Sequence, residues 1–409
     1  MKLGELTPAS SVERTLLRAQ LVNWSGNGIW LSTWAIFSVK VLGFSAVEVG
    51  LAATIGGVIG VFSTTLIGSL ADTVGERVVL CLLLGTQAAA VALYPIIPNF
   101  PCLITVTAIA LVAENGAIAV RSALIARSVP APDRVRVQAK LRAVANIGLA
   151  LGSGAGGLVL YVDDTAIYIT AILVNAAMFP IAAGITFKLR PTMSTGPVAE
   201  GRVLKDRSYL TITALCAVLA LNYQFLAFGL PLWITEHTKA PAWAVGLLYA
   251  LNTLSVVTLQ VRVSRAVKNT EAAARLARIS GWILALCCIP FALAGTASPG
   301  LALMLLLIGG AVHVAGELLY AVASWGLALG LAPAARQGQY QGMFTSGQAL
   351  AQATAPAVMA LLIIDQGAVG WAVFAALFAL SGSVITPAAR AALARRETAV
   401  LSPDLPRTS

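Results

Sequence analysis

Four ionisable residues lie inside long apolar stretches of this sequence: Glu114, Arg121, His313 and Glu317. A charge at the centre of a bilayer costs about 2.5–3.5 kcal/mol on insertion scales, so such residues are candidates for function. Desolvation favours the neutral form of a carboxylic acid, so Glu114 and Glu317 can bind and release protons near neutral pH. His313 precedes Glu317 by one helical turn and can tune its proton. A hydrogen bond to a neighbouring helix is the alternative for His313, as is an interhelical ion pair for Arg121.

The elements that carry these residues are predicted to be membrane-spanning helices. Of the 409 residues, 58% are hydrophobic and 11% are charged, whereas an ordinary soluble domain is about 25% charged. This composition excludes a soluble enzyme, a disordered protein and a secreted disulfide-bonded domain. Hydrocarbon forces the backbone of each span to be helical. The predicted spans are 16–39, 46–70, 78–97, 102–126, 141–162, 166–187, 209–234, 243–263, 276–294, 301–327, 337–364 and 370–393.

Basic residues are distributed unequally between the two sides of these spans. Of the 27 lysines and arginines, 24 lie in the termini and in the loops after even-numbered spans, against Lys40 and Lys239 in the opposite loops. The positive-inside rule therefore predicts a multi-pass protein of the plasma (inner) membrane with both termini in the cytoplasm. The net charge of +10 is assigned to these loops, so no nucleic-acid partner is expected.

A polar segment with several prolines and glycines separates six spans from six. The prediction is an N-terminal six-helix bundle (1–187), a cytoplasmic central loop (188–208), and a C-terminal six-helix bundle with a cytoplasmic tail (209–409). Two pseudo-symmetric bundles with a site between them at mid-membrane are typical of secondary transporters.

The loop between the second and third spans carries the most specific motif, GSLADTVGERVVL, from Gly68 to Leu80. It resembles the signature of the major facilitator superfamily, G-x-L-A-D-x-x-G-x-(R/K)-x-x-L. Glycine at positions 68 and 75 lets the chain reverse between closely packed helices. The matching residues are Gly68, Leu70, Ala71, Asp72, Gly75, Arg77 and Leu80.

The resemblance implies a conformational role for this loop. A carboxylate at Asp72 can face the positive N-terminus of a neighbouring helix, which in the family is the eleventh, here starting near Gln337. This contact, together with Arg77, would stabilise one conformation. Thr73 and Glu76 stand where the family often has basic residues, so a softened charge network is expected.

The fifth span contains a glycine repeat, Gly148, Gly152, Gly156 and Gly157. It resembles the antiporter signature G-x-x-x-G-P-x-x-G-G, with Ser153 at the proline position. The resemblance implies a drug–proton antiporter with twelve helices and favours export. Close helix packing through small residues is the alternative explanation.

Polar and aromatic side chains recur at helical spacing in other spans, and the resemblance implies a central cavity lined by helices 1, 4, 7 and 10. Hydrogen bonding between helices is the alternative for about half of these residues. An aromatic cavity with few fixed charges favours an apolar or weakly cationic substrate over a sugar phosphate. The predicted cavity residues are Asn23, Asn27, Trp30, Trp34, Arg121, Asn222, Tyr223, Tyr249, Tyr320, Gln341 and Gln348.

Together these features predict a secondary transporter that exports a small amphipathic organic compound, such as a drug, antibiotic or secondary metabolite, by alternating access. The proton gradient supplies the energy, with Glu114, Glu317 and His313 in proton coupling and no cofactor or metal. The alternative is a proton symporter or facilitator that imports a small nutrient. No P-loop, HExxH or GxSxG occurs, so neither ATP hydrolysis nor an embedded enzyme is expected. We expect a monomer.

The central loop provides a test of the topology. A protease site or tag inserted near Gly196 is expected to leave transport intact, because the surrounding sequence is polar and carries no signature. The site should be cleaved in inside-out vesicles and protected in intact cells. Cleavage only from outside intact cells would contradict cytoplasmic termini.

Overall fold

The computed structural model describes residues 8–190 and 203–401, which are almost entirely helical and contain no strand. This confirms the all-α prediction, while position 196 lies outside the described residues. The helices are α1 (Ser11–Lys40), α2 (Ala46–Val74), α3 (Glu76–Leu93), α4 (Phe100–Ser128), α5 (Arg134–Val162), α6 (Thr165–Phe187), α7a (Arg207–Ala220), α7b (Leu230–His237), α8 (Ala244–Ser264), α9 (Thr270–Ala294), α10 (Pro299–Leu331), α11 (Gln337–Met359) and α12 (Ala368–Leu401).

Eleven segments of the described chain are long and apolar enough to cross a membrane, with α7a and α7b forming one of them. Helix α1 is not among these eleven, although its 30 residues are long enough. The reason is its polarity, since Arg14, Arg18, Gln20, Asn23 and Asn27 all lie within it.

Side-chain caps determine where several helices begin. Asn99 accepts a hydrogen bond from the N–H of Cys102 at the start of α4, and Asn269 does the same from Ala272 at the start of α9. These contacts satisfy N–H groups that have no partner within their own helix.

The seventh span is interrupted, whereas the sequence predicted a continuous helix over 209–234. Helix α7a ends at Ala220, a π-helical turn follows over Phe225–Gly229, and α7b begins at Leu230. The Asn222 amide donates to the carbonyl oxygen of Leu219 at 2.6 Å, so the side chain competes with the backbone for its partner. Pro231 has no N–H to give to the preceding turn. The uninterrupted span was therefore a wrong prediction.

The helices pack into two compact units. The first unit comprises Met1–Ala199, Thr253–Ser264 and Ala332–Ala353, and the second comprises Glu200–Asn252, Arg265–Leu331 and Thr354–Ser409. The end of α8 and the first part of α11 thus pack with the first six helices. The domain boundaries near 187 and 208 remain predictions.

A glycine seam joins α1 to α5 in the first unit. A Cβ placed on Gly28 would lie 2.7 Å from the backbone nitrogen of Ser153 and 2.8 Å from the Cα of Gly152. A Cβ on Gly148 would lie 3.0 Å from the carbonyl oxygen of Leu21. Gly156 also faces α1, whereas Gly157 faces open space. Three of the four predicted glycines therefore allow the close approach of two helices.

The carboxylate of Asp72 binds the first turn of α11, also in the first unit. Its Oδ1 accepts from the N–H of Gly338 and its Oδ2 from the N–H of Gln339, both at 2.8 Å. A Cβ on Gly68 would overlap the Gly338 carbonyl, so only glycine fits there. The carboxylate thus lies at the N-terminus of α11, where the sequence places it, and compensates the positive end of the helix dipole.

Arg127, on α4, completes this charge network. Its Nη2 lies 2.8 Å from Asp72 Oδ1, and its Nε lies 2.7 Å from Glu76 Oε1. Both carboxylate residues are completely buried. The expectation that Glu76 weakens the network is wrong, because Glu76 adds an ion pair to it.

Arg77 does not join this charge network and instead contacts the end of α6. Its guanidinium stacks over the Phe187 ring at 4.6 Å and donates to the carbonyl oxygen of Leu189 at 2.8 Å. Arg77 therefore satisfies carbonyl groups at the end of α6, and Arg127 takes the place in the network that the motif suggested for Arg77.

The network predicts the effect of Asp72→Asn. The variant loses a charge-assisted hydrogen bond worth about 1.5–3 kcal/mol, so transport should slow about tenfold or more. Substrate affinity should stay unchanged, because the motif biases conformations without contacting ligand. Transport rate and equilibrium binding on purified protein measure the two effects. Thr73→Ala is the matched control, since its hydroxyl bonds only within its own helix. A tenfold loss of affinity at unchanged turnover would contradict this role.

Candidate functional site

In the first unit, polar side chains from α1, α3 and α4 converge on two small clefts. One cleft, of about 10 Å³, is lined by Asn23, Trp24, Asn27, Gln87, Glu114, Ala117, Ile118 and Arg121. The other, also of about 10 Å³, shares Asn23 and Arg121 with the first and extends towards α6. The structure therefore brings together four of the predicted site residues: Asn23, Asn27, Glu114 and Arg121.

Several polar atoms at these clefts have no hydrogen-bond partner among the described residues. They include Asn23 Oδ1, Gln87 Oε1 and Trp24 Nε1, and Asn23 and Gln87 are only 6% and 5% exposed. A buried polar atom without a partner costs about 1–3 kcal/mol. Groups left in this state are suited to a ligand or to water that enters the cleft.

Glu114 and Arg121 supply one negative and one positive charge to the same cleft. They lie seven residues apart on α4, about 10 Å along the helix axis. No ion pair within 4.0 Å joins them in the part of the chain that the structure describes. An Arg121 ion pair between helices is likewise not found there. Both charges can thus meet a polar ligand.

In the second unit, His313 and Glu317 form a cluster with two asparagines. Asn252 Nδ2 donates to Glu317 Oε2 at 2.5 Å, and His313 Nδ1 lies 4.0 Å from the same oxygen. On its other side, His313 Nε2 lies 3.1 Å from the carbonyl oxygen of Asn222. His313 and Glu317 are 1% and 4% exposed. The imidazole thus connects the interrupted seventh span to the carboxylate.

The geometry determines which imidazole nitrogen carries a proton. A carbonyl oxygen can only accept, so Nε2 of His313 must donate to Asn222. In the neutral ring the other nitrogen, Nδ1, then presents a lone pair towards Glu317. Nδ1 lies 4.0 Å from Glu317 Oε2, beyond hydrogen-bond distance, so the two groups interact electrostatically and do not share a hydrogen bond. A proton on Nδ1 would place an imidazolium beside the carboxylate.

The aromatic residues of the predicted cavity mostly pack against one another. Trp30 and Trp34 stack at 6.1 Å, and Trp30 also meets the Tyr94 ring edge-on at 4.6 Å. The Tyr223 and Tyr320 rings lie 5.5 Å apart, and the buried Tyr320 hydroxyl donates to the Cys216 carbonyl at 2.7 Å. This packing fixes the positions of the rings. Their role in lining a substrate cavity remains a prediction.

The other predicted cavity residues are not among the cleft-lining residues or the His313–Glu317 contacts described above. Tyr249 is 42% exposed on α8, and Gln341 is buried on α11. Gln348 is partly buried on the same helix. Sequence reasoning missed Gln87 and the contact between Asn252 and Glu317. The available signal was the same in both: an amide side chain in an otherwise apolar span. Among the described residues no group of three or more His, Cys, Asp or Glu could hold a metal ion.

Solved structures share the fold of the chain at low sequence identity. The human organic anion transporter MFSD10 (TETRAN) aligns with a TM-score of 0.68 and 13% identity, over 93% of this chain and 100% of that one. A bacterial homologue of the iron transporter ferroportin, in its outward-facing state, aligns with a TM-score of 0.72 and 15% identity, over 94% and 100%. Identities this low indicate a shared fold alone.

The sequence comparisons identify the family. No curated protein matches the chain. The profile of the Major Facilitator Superfamily matches residues 17–356, which is most of the chain. The chain therefore belongs to the major facilitator superfamily and is a multi-pass membrane transport protein.

Proposed function

We propose that this protein exports a small amphipathic organic compound in exchange for protons. The observation that carries the proposal is the buried His313–Glu317 pair, which lies against the interrupted seventh span. Charging a buried group inside the membrane is costly, so its protonation state changes the stability of its surroundings. A transporter can use this dependence to couple conformation to the proton gradient.

The interrupted seventh span supplies a route for that coupling. His313 donates to the carbonyl oxygen of Asn222, which lies in the turn between α7a and α7b. When Glu317 or His313 changes its charge, the strength of this hydrogen bond changes too. Discontinuous helices are the elements that move around the site in many secondary transporters. We therefore assign proton uptake in the second unit to Glu317 and His313, with Asn252 as the group that orients the carboxylate.

The clefts of the first unit are the proposed substrate contacts. Asn23, Asn27 and Gln87 offer neutral amides, while Trp24 offers an indole N–H and an apolar face. Such a mixture suits an amphipathic molecule better than a sugar or a phosphate ester. Glu114 and Arg121 interact electrostatically but form no ion pair within 4.0 Å in the described part of the chain, so each can bind a substrate group, and Glu114 is the proposed second proton carrier.

The direction of transport is proposed to be export because the fifth-span motif, which forms the glycine seam between α1 and α5, resembles the antiporter signature. The second candidate is a proton symporter or facilitator for a small nutrient. Arg121 supports it, because a cation without an ion-pair partner can bind an organic anion, and MFSD10 is described as an organic anion transporter. Proton release on substrate addition to purified protein favours exchange, whereas proton uptake favours symport.

Glu317→Gln is expected to abolish accumulation against a gradient in proteoliposomes while substrate exchange continues. Glutamine mimics the protonated acid, so substrate affinity should change by less than about threefold and become independent of pH. Glu114→Gln should also reduce accumulation against a gradient, and the double variant should show no proton-driven transport. The control is Glu271→Gln, an exposed carboxylate of the second unit that pairs with Arg390. If the double variant still transports uphill with an unchanged pH profile, the proton site lies elsewhere.

Asn23→Leu is expected to lower substrate affinity without lowering the melting temperature. The amide oxygen of Asn23 has no partner to lose, so the melting temperature should stay the same or rise. Substrate affinity should fall about tenfold if the amide contacts ligand. Asn252→Leu is the matched comparison, because its amide donates to Glu317 and its loss should lower the melting temperature. Unchanged affinity for every substrate in the Asn23→Leu variant would exclude Asn23 from the substrate site.

A further inference from the structure

An open groove runs along the outer surface of the second unit between α9 and α12. Its volume is about 980 Å³. The two helices touch at their backbones where a Cβ on Gly281 would lie 2.7 Å from the Cα of Gly382. The groove is lined by Arg278, Ile279, Trp282, Ile283, Ala285, Leu286, Ile289, Ala375, Ala376, Ala379 and Ser383.

The shape of the groove follows from an unequal distribution of side-chain size. Helix α9 presents Trp282, Leu286 and Ile289, each more than half exposed. Helix α12 presents only alanines and one serine, and the Ser383 hydroxyl is bonded within its own helix. A bulky wall beside a shallow wall leaves a channel that only apolar material can fill favourably.

The groove has a charge at one end and none along the rest of its length. Arg278 is exposed and lies one helical turn after Arg275, which is also exposed. From Arg278 to Ile289 the groove extends about 16 Å along α9. This length matches half the thickness of a hydrocarbon core, about 15 Å, so the groove spans one leaflet.

We propose that this groove binds one phospholipid with a net negative headgroup. Arg278 contacts the phosphate, Arg275 adds attraction for an anionic headgroup, and one acyl chain lies against Trp282, Leu286 and the alanines of α12. Basic groups beside a gap between helices are the features that retain anionic lipids. The indole of Trp282 suits the level just below the headgroups. The lipid would stabilise the α9–α12 contact, in a place separate from both clusters of the candidate site.

The test uses the full-length protein in detergent, titrated with dioleoyl phosphatidylglycerol and followed by native mass spectrometry and melting temperature. One saturable molecule should bind and raise the melting temperature, while dioleoyl phosphatidylcholine should bind about fivefold more weakly or worse. Arg278→Gln should weaken phosphatidylglycerol binding about fivefold. Ala376→Leu, which fills the groove at an exposed position, should abolish it. Ala379→Leu is a second filling variant.

The controls are Arg207→Gln, an exposed arginine of the same unit, and Leu380→Ala, an exposed position of α12 outside the groove lining. Both should bind phosphatidylglycerol as the unchanged protein does. The proposal is wrong if both lipids bind equally, if the groove variants retain full binding, or if free glycerophosphoglycerol or inorganic phosphate stabilises the protein as strongly. It is also wrong if Ala376→Leu instead dissociates a dimer, because the groove would then hold a second copy of the chain.

Discussion

In hydrocarbon, a polar group that lacks a partner inside the protein has no solvent to supply one. This constraint separates the buried polar residues of the chain into two sets. Asp72, Glu76 and Arg127 satisfy one another and the first N–H groups of α11, and Glu13 pairs with Lys140 at 2.6 Å. These groups hold helices together. Asn23, Trp24 and Gln87 each have a buried atom next to a cleft with no partner among the residues that the structure describes, a cost that a function or bound water explains.

The same constraint accounts for the interruption of the seventh span. A break in a transmembrane helix frees carbonyl and N–H groups, and each of them needs a new partner. The carbonyl of Leu219 accepts from both the backbone and the side-chain N–H of Asn222, and the carbonyl of Asn222 accepts from the N–H of Phe225 and from His313 Nε2. The titratable ring thus adds a hydrogen bond at the break. Because imidazole has a neutral and a cationic form, the stability of the broken helix depends on the protonation of its partner.

The sequence was most informative where a single physical requirement dictates the residue type. Apolar length predicted eleven of the membrane-crossing segments, and the loop signature placed Asp72 at the start of α11 because a carboxylate suits a helix N-terminus. It failed where the partner comes from a distant part of the chain. Arg127 lies 55 residues from Asp72, so no local pattern connects them. Gln87 is a single amide in an apolar span, and only packing places it at the cleft with Glu114. The spacing of Asn252 is compatible with a hydrogen bond between helices, but it does not name Glu317 as the partner. The break at Asn222 was hidden by the surrounding apolar residues.

The two clusters differ in the kind of cation that accompanies the carboxylate. Arginine keeps its charge at any physiological pH, whereas histidine exists in both forms. The charge of the first cluster can therefore change only through Glu114, because Arg121 is fixed. In the second cluster both side chains, His313 and Glu317, are of types that exchange protons, and their nearest polar atoms lie 4.0 Å apart. A fixed cation suits the recognition of a substrate, and a titratable pair suits the exchange of a proton. The proposed substrate contacts therefore belong chiefly to the first unit, and the proposed proton site belongs chiefly to the second, with Glu114 as the proposed second carrier.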